Sequence, residues 1–263
     1  MFLWLLPPST RFVSQDVVPS VLALYAAAGH WPESSHMLFA CADTTEDDVS
    51  QLLARCYHPA LWQLYGDTQP LYCIVNAHTL RVGVQDALNH MLRSFRIQYP
   101  AAPCRLAITA VPANASSILT SLGRLEVVPR LTTSALTAVL ATFLPHVEVH
   151  VSDASGQGKS KAIAAAIKAD ARRCHRVLIG GPFRRPAMTA LLRPACDADA
   201  DAAGGGGTSV HLDVHETSRE HIDAVLLELL AVGRVYDPRS QLAVFLPRGG
   251  KVYVEVANVL DNR

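Results

Sequence analysis

The run His146-Val-Glu-Val-His-Val-Ser-Asp-Ala-Ser-Gly-Gln-Gly-Lys-Ser-Lys-Ala-Ile-Ala-Ala-Ala-Ile-Lys-Ala169 changes character twice. Residues 146–151 place a valine at every second position, as a strand does. Residues 159–169 are rich in Ala and Lys and read as a helix. Between them lies a glycine-rich turn, with Ser155, Gly156, Gln157, Gly158, Lys159 and Ser160 in a row. A strand, a Gly-Lys-Ser turn and a helix, in that order, are the setting of a phosphate-binding P-loop. Glycines let successive backbone N–H groups face one concavity, and the helix N-terminus adds its positive end. Lys159 would reach the β- and γ-phosphates, and the Ser160 hydroxyl would complete the shell of a Mg²⁺ ion carried by the nucleotide. ATP with Mg²⁺ is therefore the expected ligand. The pattern GxxxxGK[ST] asks for glycine where Asp153 stands, so Gly156 has to supply part of the flexibility. The alternative is an ordinary helix cap, which would make the chain an α/β structural or interaction module with an empty P-loop.

A hydrolysing site also needs a second strand of apolar residues that ends in acids. Two strands compete for this role. Val210-His-Leu-Asp213-Val-His215-Glu216 is one, and Val252-Tyr-Val-Glu255-Val256-Ala-Asn258 is the other. Chain order favours the second, because it follows an apolar helix at 222–232. Glu255 then takes the metal-facing place beside Ser160, and Val256 stands where an acid would orient water. A valine cannot do so, and the expectation is nucleotide binding with little hydrolysis and no assigned catalytic residue. On the plainer reading, Glu255 belongs to an edge strand.

Other candidates are weaker. Arg184 and Arg185 follow a Gly-Gly-Pro strand end and read as a solvated loop pair that could meet an anion. His146, His150, His211 and His215 alternate on two strands without a known register, so a metal site is not expected. Asp43 and the acids at 46–48 read as helix capping, with Thr45 and Asp48 in a capping box. Asn114-Ala-Ser116 is a formal sequon, silent in the cytosol.

Outward from the P-loop, the rhythm of strand and helix repeats on both sides. Strands are expected at 36–42, 70–75, 105–110, 146–151, 176–180, 210–214 and 251–256. Helices are expected from Val49, Val84, Asn114 and Thr132, at 159–169, 187–193 and 222–232. Such alternation predicts an α/β fold, three-layered α/β/α with mostly parallel sheets. Residues 1–140 read as one α/β region and 141–263 as the P-loop module. The Asp/Ala- and Gly-rich run at 197–208 reads as a flexible insertion within that module.

Composition narrows the function classes. Half of the 263 residues are hydrophobic (50%), which excludes a disordered chain. Lys+Arg and Asp+Glu are both 23, so the net charge is zero and a nucleic-acid partner is not expected. The apolar start, Met1 to Leu6, is too short for a signal peptide, and no apolar run is long enough to span a membrane. The six cysteines form no CxxC pair and read as reduced thiols in a reducing, cytoplasmic setting.

Taken in order, several pieces resemble one family. They are Ala42-Asp-Thr-Thr-Glu-Asp-Asp-Val49, Leu53-Ala-Arg-Cys56, Leu71-Tyr-Cys-Ile-Val-Asn-Ala77, Ser152 to Ser160, His211-Leu-Asp-Val-His215 and Tyr253-Val-Glu-Val-Ala-Asn258. Together they are similar to the ATPase core of the mysterin family of giant AAA+ RING-type ubiquitin ligases. The resemblance implies an AAA+ module, neighbouring AAA+ modules in the same or a longer chain as partners, and a full-length parent that ubiquitinates targets. No Cys/His zinc constellation of a RING is present in the sequence, so no ligase activity is expected of this chain itself. The resemblance further implies a sensor strand, an arginine finger and a helical lid beyond the second acidic strand, so the chain reads as a fragment.

Overall fold

The computed structural model describes residues 2–5, 17–65, 69–110, 119, 125–127, 132–152, 158–170, 173–180, 185–200, 208–215, 222–246 and 250–257. The chain divides into two compact units, Met1–Val139 and Leu140–Arg263.

The first unit is built on a five-stranded parallel sheet. Its strands are β1 (Phe2–Leu5), β2 (Met37–Phe39), β3 (Leu71–Val75), β4 (Arg105–Ala110) and β5 (Leu125–Val127). They lie in the order β2-β3-β4-β1-β5. Every residue of β3 is buried, which in a strand with alternating side chains means that both sheet faces are covered. Helices α1 (Val17–Ala28), α2 (Glu46–Cys56), α3 (Pro59–Tyr65) and α4 (Val82–Gln98) come from the same stretch. Val49, Leu52 and Leu53 of α2 and Val84, Leu88 and Leu92 of α4 recur at helical spacing and pack on Leu38, Tyr72, Ile74, Leu106 and Ile108. Tyr25 of α1 donates its hydroxyl to the Leu71 carbonyl at 2.9 Å, and burial raises its phenol well above the usual value. Helix α2 starts where the sequence places it. The Thr45 side chain accepts from the Asp48 N–H at 3.3 Å, and the Asp48 carboxylate accepts from the Thr45 N–H at 2.8 Å. Of the helix expected from Asn114, Leu119 is described; it is helical and fully buried in the core of this unit.

Two features of this unit were not expected. The apolar start of the chain is β1, an interior strand between β4 and β5. Cys56 and Cys104 form a disulfide, with Cα atoms 5.8 Å apart across 48 residues of sequence. This corrects the reading of six reduced thiols. Cys56 ends α2 and Cys104 leads into β4, so the sheet brings together residues whose sequence spacing gives no hint of pairing. Cys41, Cys73 and Cys174 are free thiols, and full burial raises that of Cys73 to about 12.

Helix α5 (Thr133–Phe143) leads into the second unit. There, β6 (Val147–Ser152), β7 (Cys174–Ile179), β8 (Ser209–Val214) and β11 (Val252–Ala257) form a parallel sheet in the order β6-β11-β8-β7. A separate antiparallel hairpin, β9 (Arg234–Asp237) with β10 (Leu242–Phe245), precedes β11. Helices α6 (Lys159–Ala169), α7 (Arg185–Ala200) and α8 (Ile222–Val232) complete the unit. With strands numbered within each main sheet, the second sheet runs second, third, fourth, first, and the first sheet shares that order and adds its fifth strand beyond the first. One face of the second sheet, with Val177, Ile179, Val210, Leu212, Val214, Val252 and Val254, packs with Met188 and Leu192 of α7 and Val225 and Leu229 of α8. The short helix expected at 187–193 runs on to Ala200, past Pro194. It takes in the first part of the expected 197–208 insertion, and residues 201–207 lie outside the described set.

Arg185 is not the solvated loop residue that its sequence suggests. It opens α7, and its guanidinium lies in a buried ion pair with Glu228 of α8 at 2.5 Å while also donating to the Tyr236 carbonyl at 2.9 Å. Glu228 accepts from the Tyr236 N–H at 3.0 Å. Burial pushes its carboxyl above the usual range, opposed by Arg185. Arg184 lies outside the described residues.

Two tests follow from these contacts. Reducing the Cys56–Cys104 bridge, or replacing Cys104 by Ala, removes a cross-link that closes a loop of this length and is expected to destabilise the first unit by about 4 kcal/mol. Urea unfolding with and without reductant measures it, and overlapping curves would refute it. In the second unit, Glu228→Ala strands a buried guanidinium and is expected to cost about 3–5 kcal/mol. The double substitution Arg185→Met/Glu228→Leu should cost less than Glu228→Ala alone. Thermal and chemical melts of the three proteins give the ranking.

Candidate functional site

In the second unit the site grows from the junction of β6 and α6. Ser155, Gly156 and Gln157 lie outside the described residues, as does Asp153. Gly158 is described and has φ +82°, a left-handed conformation in which a side chain is strained, at the N-cap of α6. Lys159 and Ser160 are the first two residues of the helix. The N–H groups of such a first turn have no partner within the helix and carry its positive end.

Ser160 is the point of contact with the sheet. Its hydroxyl lies 2.8 Å from Oε1 and 2.9 Å from Oε2 of Glu255. Glu255 sits on β11, which pairs with β6 on one side and β8 on the other, so it belongs to an interior strand and not to an edge. Its residue is 8% exposed. On the far side Glu255 Oε2 is 3.0 Å from Nε2 of His211 on β8, itself 5% exposed. The carboxylate can only accept, so Nε2 is the protonated ring nitrogen. The opposite end of α6 is tied to the same strand. Asp170, the C-cap of α6, accepts from the Tyr253 hydroxyl at 3.1 Å and pairs with Lys251 Nζ at 2.9 Å. Ile163 is wholly buried between these two anchors. Together they hold the N-terminus of α6 at the carboxyl end of β11, the edge of a parallel sheet where ligands bind.

The competing acid strand is placed differently. Asp213 stands opposite Glu255 in register but pairs with Arg176 at 2.5 Å, a contact in which Arg176 is half exposed. Glu216 lies outside the described residues. Val256 is partly buried against the apolar core of the unit. His150 Nε2 lies 2.9 Å from Glu148 Oε1 yet makes no well-directed hydrogen bond. No group of three or more His, Cys, Asp or Glu able to hold a metal is present among the described residues. A magnesium ion needs no such cage, because it binds through one or two carboxylates together with phosphates and water. The hard oxygen pair of Ser160 and Glu255 fits that donor chemistry.

His211 is the residue that the sequence reading missed in this role. The sequence presents it as one of four alternating histidines, whereas its partner is a carboxylate on the neighbouring strand. The signal, a histidine two residues before Asp213 on one strand and an acid near the end of another, becomes legible only with the β8–β11 register.

At the corresponding edge of the first unit, threonine hydroxyls bond to the backbone of the strand ends. Asn76, at φ +61° after β3, donates its N–H to Thr109 Oγ1 at 3.2 Å. The Thr79 hydroxyl lies 2.9 Å from the Ala40 carbonyl and 2.8 Å from that of Asn76.

No described helix is long and apolar enough to cross a membrane. No curated protein matches the chain. Residues 11–125 match the family model described as the RNF213 AAA domain. The match falls within the first unit and stops short of the Gly-Lys-Ser turn at 158–160. Residues 11–125 are thus similar to the RNF213 AAA domain, in a chain whose fold is α/β with mostly parallel sheets.

Proposed function

We propose that the second unit binds ATP with Mg²⁺ at residues 155–160 and hydrolyses it slowly, as the nucleotide-binding part of an AAA+ core. The observation that carries this reading is the Ser160–Glu255 contact, which joins a hydroxyl of the Gly-Lys-Ser turn to a carboxylate of the adjoining strand. The AAA similarity of the first unit supports it. Lys159 would neutralise the β- and γ-phosphates, and the first turn of α6 would donate N–H groups to them. Ser160 and Glu255 would hold Mg²⁺, which supplies charge neutralisation between the phosphates when bound. Neighbouring AAA+ modules, in this or a longer chain, are the partners this reading implies.

Slow turnover follows from Val256. It directs an aliphatic side chain into the core at the place where a second acid would orient the attacking water. The alternative, an interaction module with an empty turn, predicts no nucleotide binding at all.

Titration with a fluorescent ATP analogue separates the two. Lys159→Ala is expected to weaken binding by about 2–3 kcal/mol, the scale of a lost charge-assisted contact. Equal binding by the two proteins would sink the assignment. Phosphate release by the purified chain should stay near background, because an arginine finger from a neighbour is alone worth about 10³–10⁵ in rate. Turnover on the order of 1 s⁻¹ that vanishes in Lys159→Ala would mean that a different acid, Asp213 or Glu216, orients the water.

A further inference from the structure

We propose that His211 is the positioning residue for the magnesium side of this site: it fixes the Glu255 carboxylate against Ser160 so that the two can take a divalent cation together with a phosphate chain. The proposal rests on the nucleotide reading above and assigns a role to a residue outside the Gly-Lys-Ser turn.

The arrangement joins three residues from three elements, Ser160 on α6, Glu255 on β11 and His211 on β8. In register, His211 stands opposite Tyr253, and Asp213 stands opposite Glu255. The residue directly across from the carboxylate therefore engages Arg176, and the imidazole reaches Glu255 on the diagonal. The two oxygens of Glu255 are not equivalent. Oε1 faces the Ser160 hydroxyl, whereas Oε2 faces both that hydroxyl and the His211 N–H. A carboxylate has about four acceptor sites, so Glu255 can hold both donors and keep capacity for a cation.

A glutamate side chain has a loose terminal torsion. With Ser160 as its sole anchor the carboxylate can turn about that bond, and it loses that anchor when the Ser160 oxygen turns to a metal. The His211 N–H lies on the other side and stays in place. Outer hydrogen bonds of this kind orient metal-binding carboxylates, and losing one costs roughly 10–100-fold in metal affinity. His211 touches neither phosphate nor metal in this scheme, so it positions and does not react.

The test uses the full chain and a fluorescent ADP analogue, titrated once in EDTA and again across a Mg²⁺ series. The reading is the Mg²⁺ concentration that half-maximally tightens binding, with circular dichroism confirming that each variant is folded. His211→Phe is expected to need roughly 10–100-fold more Mg²⁺ while its binding in EDTA is unchanged. His211→Gln keeps an N–H donor of sufficient reach and should stay close to wild type. His211→Asn is polar but too short, and should behave like His211→Phe; it decides the matter if the phenylalanine protein does not fold. A wild-type Mg²⁺ response in His211→Asn or a folded His211→Phe overturns the proposal and leaves the nucleotide reading intact. So does a His211→Gln protein as impaired as His211→Phe, because shape and not the N–H would then be what matters. Wild type that binds no nucleotide under either condition overturns the nucleotide reading and the proposal with it.

Discussion

A carboxylate enclosed in the middle of a parallel sheet has to be met by hydrogen-bond donors, since taking an ion out of water costs several kcal/mol on the order of the whole stability margin of a domain. Glu255 is in that position, and much of the second unit is arranged around meeting its demand. Ser160 brings the N-terminus of α6 to the sheet, and His211 brings in the neighbouring strand. Asp170, accepting from Tyr253 and paired with Lys251, fixes the far end of the same helix. The direction of α6, and with it the direction in which its first-turn N–H groups point, follows from these contacts. The other face of the sheet is ordinary aliphatic packing, so one sheet separates an apolar core from a polar, chemically capable surface.

Much of the fold was readable because two periodicities dominate it. Residues 105–110 and 159–169 recur in the structure at the bounds their patterns suggest, as β4 and α6. The capping box at Thr45 marks the start of α2 because its chemistry is local. What escaped depends on distant partners. Phe2–Leu5 is too short to declare itself, and becomes a strand only because β4 and β5 flank it. The hairpin of β9 and β10 turns on Asp237, which accepts from the Arg239 N–H at 3.2 Å, a cue hidden in a polar loop. Cys56 and Cys104 meet through tertiary structure, and Arg185 is drawn inward by Glu228 from the next helix.

The candidate site was legible in part for the same reason. Gly158, Lys159 and Ser160 are contiguous and carry their chemistry in sequence, with the left-handed backbone of Gly158 explaining why that position is glycine. Glu255 could be ranked above Asp213 only by chain order, whereas the decisive fact is spatial: β11 is the strand beside β6. The similarity to the AAA domain family falls on the other unit, where Thr79 and Thr109 bond to the backbone at the strand ends. The shared strand order of the two sheets is where the two observations meet.

The place of β1 has a consequence for how the first unit is made on the ribosome. Phe2 pairs with Ala107 and Leu3 with Leu125, so β1 is made well before either of its neighbours and has no partner strand until β4 and β5 have followed. At about 5–20 residues per second that interval lasts on the order of 5–20 s. During it, the run Phe2-Leu-Trp-Leu5 is an apolar, strand-forming segment with no sheet to join, the kind of sequence that other nascent chains and chaperones compete for. β2, β3 and the helices between them can gather beforehand, since their contacts are nearer in sequence. Sheet closure in the first unit is then a late event, set by the emergence of β4 and completed by insertion of β1 between β4 and β5.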